Sequence, residues 1–378
     1  MVLASMAGLM LTLPLHSAPE LGATASNLKH PMVVVVLQGY GRSGPSICAV
    51  GLGVMRLLRG RQRRSLHKTR VRCTAQQSSP LPDPLCVVKR VKALEEQGFV
   101  KLHGFSPEEA GVLLDILWED YGKLHNVRRD NPSGWFTKSG SGVRLYGAPT
   151  ETLKESASFK MLVRRLHAKM DATFGAGVYR CKKNKQRTIF VNCPNATGSW
   201  TVPSDWHSDM PFIASEPQPP SVLYAFAYLD LVEPRGGGTM LLSGSSARMQ
   251  APEMADCWGN ASTVEETRSL LFMQKLCQED EWFEDLLGPK PLATTGDYRL
   301  NCNAAVSAKR VQRFMTEGTI SGGIPMRVVE LTGMPGDVDL WDPRCLHSQS
   351  NNVSSRPRSC LRFRLERTAK GDLEELHP

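Results

Sequence analysis

From Arg187 onward the chain alternates short runs of β-branched and aromatic residues with Pro- and Gly-bearing turns, a texture that few folds accept. The runs lie at 188–191, 221–232, 239–242, 326–331, 337–341 and 360–365, and each is read as a strand. A polar, helix-patterned stretch at 253–318, with 263–287 as its clearest helix, splits the series. Short antiparallel strands interrupted by one helical insertion predict an α+β chain with a double-stranded β-helix core, a cupin-like jelly roll, and flanking helices from the first half packed outside it.

The first half supplies those helices. Val88, Val91 and Leu94 repeat at helical spacing over 87–97, and Gly98 follows as a stop; 99–102 then reads as a strand. Ser106, Pro107 and Glu109 form a capping box with Pro at the first helical position, ahead of the apolar series Val112, Leu113, Ile116 and Leu117. Residues 126–150, rich in Gly, Asn, Ser and Arg, read as a long loop over a cavity mouth, and 155–173 returns to helix.

The formal charge of +9 suggests nucleic acid until it is divided along the chain. Of 46 Lys and Arg and 37 Asp and Glu, ten basic residues and one acid, Glu20, fall in the first 80 positions, so the remainder carries 36 of each. The folded body is neutral, which excludes a nucleic-acid partner. The Arg-rich, acid-poor stretch 1–80 has the composition of a cleaved transit peptide, for a plastid or alternatively a mitochondrion, with 81–87 as linker to a domain at 88–366 and 367–378 as a polar tail. No run reaches the 18 or so apolar residues of a membrane-spanning helix. Gly39, Gly41 and Gly44 fit a dinucleotide-binding glycine pattern, but the mostly basic stretch at 59–72 holds neither the second strand nor the acid that such a site needs. Ten scattered cysteines without paired spacing read as reduced, mostly buried thiols.

His207 and Asp209 stand two apart in the segment W-T-V-P-S-D-W-H-S-D-M. In an extended strand such residues share a face, so imidazole and carboxylate enter one cavity while Ser208 points away. Two His and one carboxylate on one face of a metal leave open positions for a chelating cosubstrate and dioxygen, and His347 is the candidate second His. Cys345, two residues earlier, is a ligand candidate that reads better as a core thiol. Arg358, with Arg356 as its competitor, stands shortly after His347, where a planar guanidinium can grip the far carboxylate of a dicarboxylic acid. His103, His125 and His167 read as surface or helix positions.

These features together resemble the phytanoyl-CoA dioxygenase family of Fe(II)/2-oxoglutarate oxygenases. The likeness rests on the H-x-D, on Gly336-Asp337, on the segment His347, Asn352, Ser354 and Arg358, on the opening stretch 96–109 and on the strand and turn at 234–244; it covers about 88–366. It implies that His207, Asp209 and His347 hold Fe(II) and that Arg358 binds 2-oxoglutarate. The implied reaction consumes O2, releases succinate and CO2, and hydroxylates a small organic or lipid-like substrate. The carboxylate at Asp209, which halogenating relatives lack, favours hydroxylation. Two departures stand out: Gly244-Ser245-Ser246 replaces a common Gly-Ser-His, and Gln349 a common Ser. The alternative is a non-catalytic or zinc-bound jelly-roll binding protein, a degenerate relative.

Overall fold

In the computed structural model of the protein, which describes residues 84–136, 142–181, 187–195, 200–209, 220–257, 265–288 and 304–368, the strands form two antiparallel sheets. All of these residues fall within the unit Val71–Pro378. The leader, its glycine pattern at 39–44 and the tail beyond 368 lie outside the described residues. In chain order the strands are β1 (Phe99–His103), β2 (Arg144–Gly147), β3 (Tyr179–Arg180), β4 (Arg187–Asn192), β5 (Val222–Tyr228), β6 (Thr239–Ser243), β7 (Thr319–Ser321), β8 (Ile324–Glu330), β9 (Asp337–Trp341), β10 (His347–Gln349) and β11 (Arg358–Arg367). The large sheet runs β1-β9-β5-β11-β4-β2, with β3 on the end of β11, and the small sheet runs β10-β6-β8-β7. From β8 on, consecutive strands alternate between the sheets.

Three apolar layers explain why β5 is buried at every residue. Leu223, Ala225 and Ala227 pack with Leu113 and Leu117 of the helix Pro107–His125 and Phe159 and Leu162 of the helix Ala157–Phe174, outside the large sheet. The alternate residues Tyr224, Phe226 and Tyr228 face Leu241 and Trp341 between the sheets. Outside the small sheet, Met240, Leu242, Met326 and Val328 meet Phe272, Leu276, Phe283 and Leu286 of the insertion. Each fully buried Leu or Phe contributes about 1.5–3 kcal/mol, against roughly 0–1 for an exposed ion pair, so these layers and not surface charge hold the sandwich together.

The helices are α1 (Pro84–Gln97), α2 (Pro107–His125), α3 (Glu151–Glu155), α4 (Ala157–Phe174), α5 (Ser245–Met249), α6 (Glu265–Glu279), α7 (Glu281–Leu287) and α8 (Ala304–Val311). The capping box forms as expected: Ser106 Oγ accepts from Glu109 N, and the Glu109 carboxylate accepts from Ser106 N. Two expectations are corrected. The stretch 126–150 is not all loop, because Arg144–Gly147 pairs with β4 as the edge of the large sheet. The helix expected at 263–287 is two helices, broken where Asp280 takes an extended conformation and caps Trp282 N. Among the described residues no helix is long and apolar enough to cross a membrane.

Candidate metal centre

His207 and His347 face each other across a single antiparallel bridge, not within a continuous strand as the spacing had suggested. Their backbones exchange two hydrogen bonds, His207 N to His347 O at 3.0 Å and His347 N to His207 O at 2.8 Å, and Asp209 N donates to Pro343 O at 3.2 Å. The alternation predicted from i, i+2 spacing still holds locally. Trp206 packs into the outer core, and between the two ligand candidates Ser208 N donates to Ser269 Oγ of α6 at 3.0 Å and Ser208 Oγ to Pro343 O at 3.1 Å. The side chains of His207 and Asp209 are thereby directed toward His347.

One donor atom from each of His207, Asp209 and His347 lies within 4.8 Å of the other two. Asp209 Oδ1 is 3.6 Å from His207 Nε2 and 3.7 Å from His347 Nε2. The ring of His347, 4.2 Å from that of His207 and 4.7 Å from that of Trp341, is fixed by Nδ1, which lies 3.0 Å from the Cys345 carbonyl. A carbonyl only accepts, so Nδ1 carries the proton and Nε2 keeps its lone pair for the site. Burial, then the neighbouring His207, pushes His347 down to about 4, so it stays neutral. Burial alone would raise Asp209, but the adjacent His207, His347 and Arg362 overcome it and hold the carboxyl at about 2. The Asp209 carboxylate beside it raises His207. Two imidazoles and an ionised carboxylate on one side of a shared point suit a divalent transition metal and leave its other side open.

Arg358 opens β11 and is 2% exposed. Its Nη1 donates to the Gly237 carbonyl at 2.8 Å and its Nη2 to Thr239 Oγ1 at 3.3 Å, and the guanidinium lies 5.3 Å from the centre of the Phe226 ring. Its Nε is buried without a partner, and among the described residues it forms no ion pair. Thr239 is opposite Gln349, and Leu241 is opposite His347. Arg358 therefore meets the small sheet two residues from His347, about 7 Å at strand rise, which is near the length of a five-carbon diacid. Arg356 differs: it is 47% exposed, with Nη1 3.5 Å from Asp230.

The other expected residues serve local structure. Asn352 donates to Asn192 O and Arg356 O and accepts from Ser354, which builds the turn into β11. Ser245 Oγ accepts from Leu346 N at 2.9 Å, so the Gly244-Ser245-Ser246 corner steadies the residue before His347. Gln349 pairs with Thr239 in the small sheet. The Cys345 thiol points to Gly98 O, burial lifts it to about 12, and it does not join the donor atoms that converge at His207, Asp209 and His347. His103 is exposed near Asp337, His125 ends α2, and His167 in α4 accepts from Cys181 N at 3.2 Å.

Two groups escaped the sequence reading. Arg362 places Nη1 3.6 Å from Asp209 Oδ2. Tyr224 is the other: burial, together with the nearby Asp209 charge, raises its pKa. The available signal was the alternation of β11, which puts Arg362 on the same strand face as Arg358.

No protein-family description and no curated protein matches the chain. Solved structures similar to it include the non-heme alpha-ketoglutarate-dependent epimerase SnoN from nogalamycin biosynthesis, at 17% identity and a TM-score of 0.41, covering 75% of this chain and 84% of that one. The non-heme alpha-ketoglutarate-dependent carbocyclase SnoK from the same biosynthesis shows 16% identity and a TM-score of 0.42, covering 77% and 90%. HygX from Streptomyces hygroscopicus, solved with nickel and 2-oxoglutarate bound, shows 13% identity and a TM-score of 0.39, covering 74% and 87%. Those ligands belong to those proteins; the functional reading rests on this chain's own residues.

Proposed function

We propose that the chain is an Fe(II)- and 2-oxoglutarate-dependent dioxygenase, on a jelly-roll core of the phytanoyl-CoA dioxygenase kind, that hydroxylates a small organic or lipid-like molecule. The observation that carries this is the convergence of His207, Asp209 and His347 within 4.8 Å. The buried guanidinium of Arg358, which makes no direct ion pair among the described residues and leaves Nε without a partner, supports the cosubstrate. Bound there, iron, O2 and 2-oxoglutarate supply the oxidation of a C–H bond while the keto acid becomes succinate and CO2.

The chain's own residues do the rest. His347 offers a neutral Nε2 because the Cys345 carbonyl holds the proton on the other nitrogen. Asp209 stays ionised through the physiological range and so balances part of a divalent charge. Arg358 is a cation already stripped of water and anchored by Gly237 and Thr239, so a carboxylate that reaches it completes a charge-assisted pair with little reorganisation. Tyr224, Phe226 and Trp341 are buried beside these groups and exclude water from that side.

The test is succinate formation and metal content of the full-length protein, with Asp209→Ala as comparison. The wild type is expected to retain iron and release succinate from 2-oxoglutarate. Asp209→Ala is expected to lose both, with a metal-free melting temperature within a few degrees of wild type. A protein that holds zinc and releases no succinate with added Fe(II) would replace the oxygenase reading with that of a binding protein.

A further inference from the structure

The two oxygens of the Asp209 carboxylate face different groups. Oδ1 is the atom 3.6 and 3.7 Å from the two imidazole Nε2 atoms, while Oδ2 is 3.6 Å from Arg362 Nη1. The geometry points to Arg362 as a positioning residue that holds Oδ2 and thereby offers a single oxygen, Oδ1, to the metal. The inference rests on the metal reading of the triad and adds to it the device that fixes how the carboxylate binds.

Arg362 is suited to this because its own position is determined from three sides. It lies four residues beyond Arg358 on β11, opposite Thr188 of β4 and Phe226 of β5. Its Nη2 donates to Tyr146 Oη at 3.2 Å and Thr188 Oγ1 at 3.4 Å. The guanidinium lies over the rings of Tyr224 at 4.7 Å and Phe190 at 5.3 Å, and Phe190 is itself wedged edge-on between Tyr146 and Phe226. With Nη2 committed to two hydroxyls and its face to two rings, the plane that presents Nη1 to Asp209 is set before any ligand arrives. Tyr224, one of those two rings, is 5% exposed, so this face of the guanidinium is closed to water.

A carboxylate so held cannot turn both oxygens to one ion without giving up Arg362. Single-oxygen binding leaves the positions that a chelating cosubstrate and dioxygen need, which two-oxygen binding would reduce by one. The plain alternative is that Arg362 is a packing residue whose cation stacks on aromatic rings, with Asp209 merely near. The two readings differ in what metal binding feels: partners of a ligating side chain typically change metal affinity 10- to 100-fold when removed, and a packing residue does not.

The experiment titrates Co(II) into the metal-free, full-length protein and follows both heat and the visible absorption of the bound ion. Arg362→Met, which keeps the apolar stem, is expected to raise the Co(II) dissociation constant 10- to 100-fold and to alter the absorption spectrum as the carboxylate turns. Arg362→Lys is expected to restore part of the affinity, because an ammonium supplies the charge but not the fork. Arg364→Met, on the same strand but paired with Glu366, is expected to bind Co(II) as the wild type does. Wild-type affinity and spectrum in Arg362→Met overturn the inference; should that variant fail to fold, wild-type values in Arg362→Lys do the same. A wild type that takes up no Co(II) overturns the triad reading itself, an outcome distinct from equal affinity in wild type and variant.

Discussion

The hydroxyl of Tyr228 donates a 2.6 Å hydrogen bond to Oδ2 of Asp339, with both side chains fully buried between the sheets. Oδ1 of the same carboxyl has no hydrogen-bond partner and lies 3.8 Å from Lys101 Nζ, too far to offset its desolvation. Burial therefore raises Asp339 to about 6, although Lys101 and the Tyr228 hydrogen bond pull the other way. The unfolded value is about 3.9, so between these two pH values the native chain holds this proton more tightly than the unfolded one. The stability that Asp339 contributes is complete below pH 4 and is lost as pH rises through 6, by at most about 3 kcal/mol at 1.36 per unit. Urea unfolding of wild type and Asp339→Asn from pH 4 to 7 checks this: the variant is expected to lack that slope, and parallel profiles would count against it.

Arg358 and Arg356 are two residues apart and differ in surroundings, one buried beside Thr239 and the other exposed beside Asp230. Removing one partner of a desolvated charge pair costs about 2–5 kcal/mol, and 1.4 kcal/mol is tenfold. Arg358→Ala is expected to raise the apparent 2-oxoglutarate constant at least about thirtyfold without loss of metal, with Arg358→Lys recovering part. Arg356→Ala is expected to change it less than about threefold, the scale of a surface ion pair. Succinate formation across a range of 2-oxoglutarate measures all three, and a large effect at 356 with none at 358 would reverse the assignment.

Gly98 ends α1 at φ +83°, where a β-carbon would collide with Cys345 Sγ and lie 2.8 Å from Ser246 Oγ. Its carbonyl also accepts from Asp342 N at 2.9 Å, so the same residue steadies the turn that leads to His347. A left-handed non-glycine residue costs about 1–2 kcal/mol and overpacking a further ~1–3. Gly98→Ala is therefore expected to destabilise by about 2–5 kcal/mol. It should also weaken metal binding, since Cys345, whose carbonyl orients His347, must move. Chemical unfolding with Co(II) titration tests both, and wild-type stability would refute the steric argument.

The parts of the fold that sequence made legible are those with a local signature. The Ser106–Glu109 box announces α2, and the apolar run of β5 announces a strand buried on both faces. His207 and Asp209 were legible as a pair because spacing alone puts them on one face, even though the segment makes only a bridge. Strand β10 was not: His347, Ser348 and Gln349 have no apolar pattern, and they are extended because β6 and His207 lie on either side. Arg358, Arg362 and Arg364 look alike in sequence. Only the partners brought by β2, β4 and β6 make the first a buried cation bonded to Gly237 and Thr239 and the second a neighbour of Asp209. Asn352 and Ser354 belong to a turn, a role their spacing from His347 did not reveal.

The single bridge between His207 and His347 has a kinetic consequence. His347 and Arg358 sit on strands bonded into the two sheets, whereas the stretch bearing His207 and Asp209 is tied to the turn and strand beside it by three backbone hydrogen bonds. Hydrogen exchange in native proteins separates such regions, with central strands opening only in global unfolding and lightly tied segments opening far more often. An ion held by all three side chains would straddle that divide. Its residence time would then follow how often a short stretch of chain, held also by Trp206 and Ser208, lifts away.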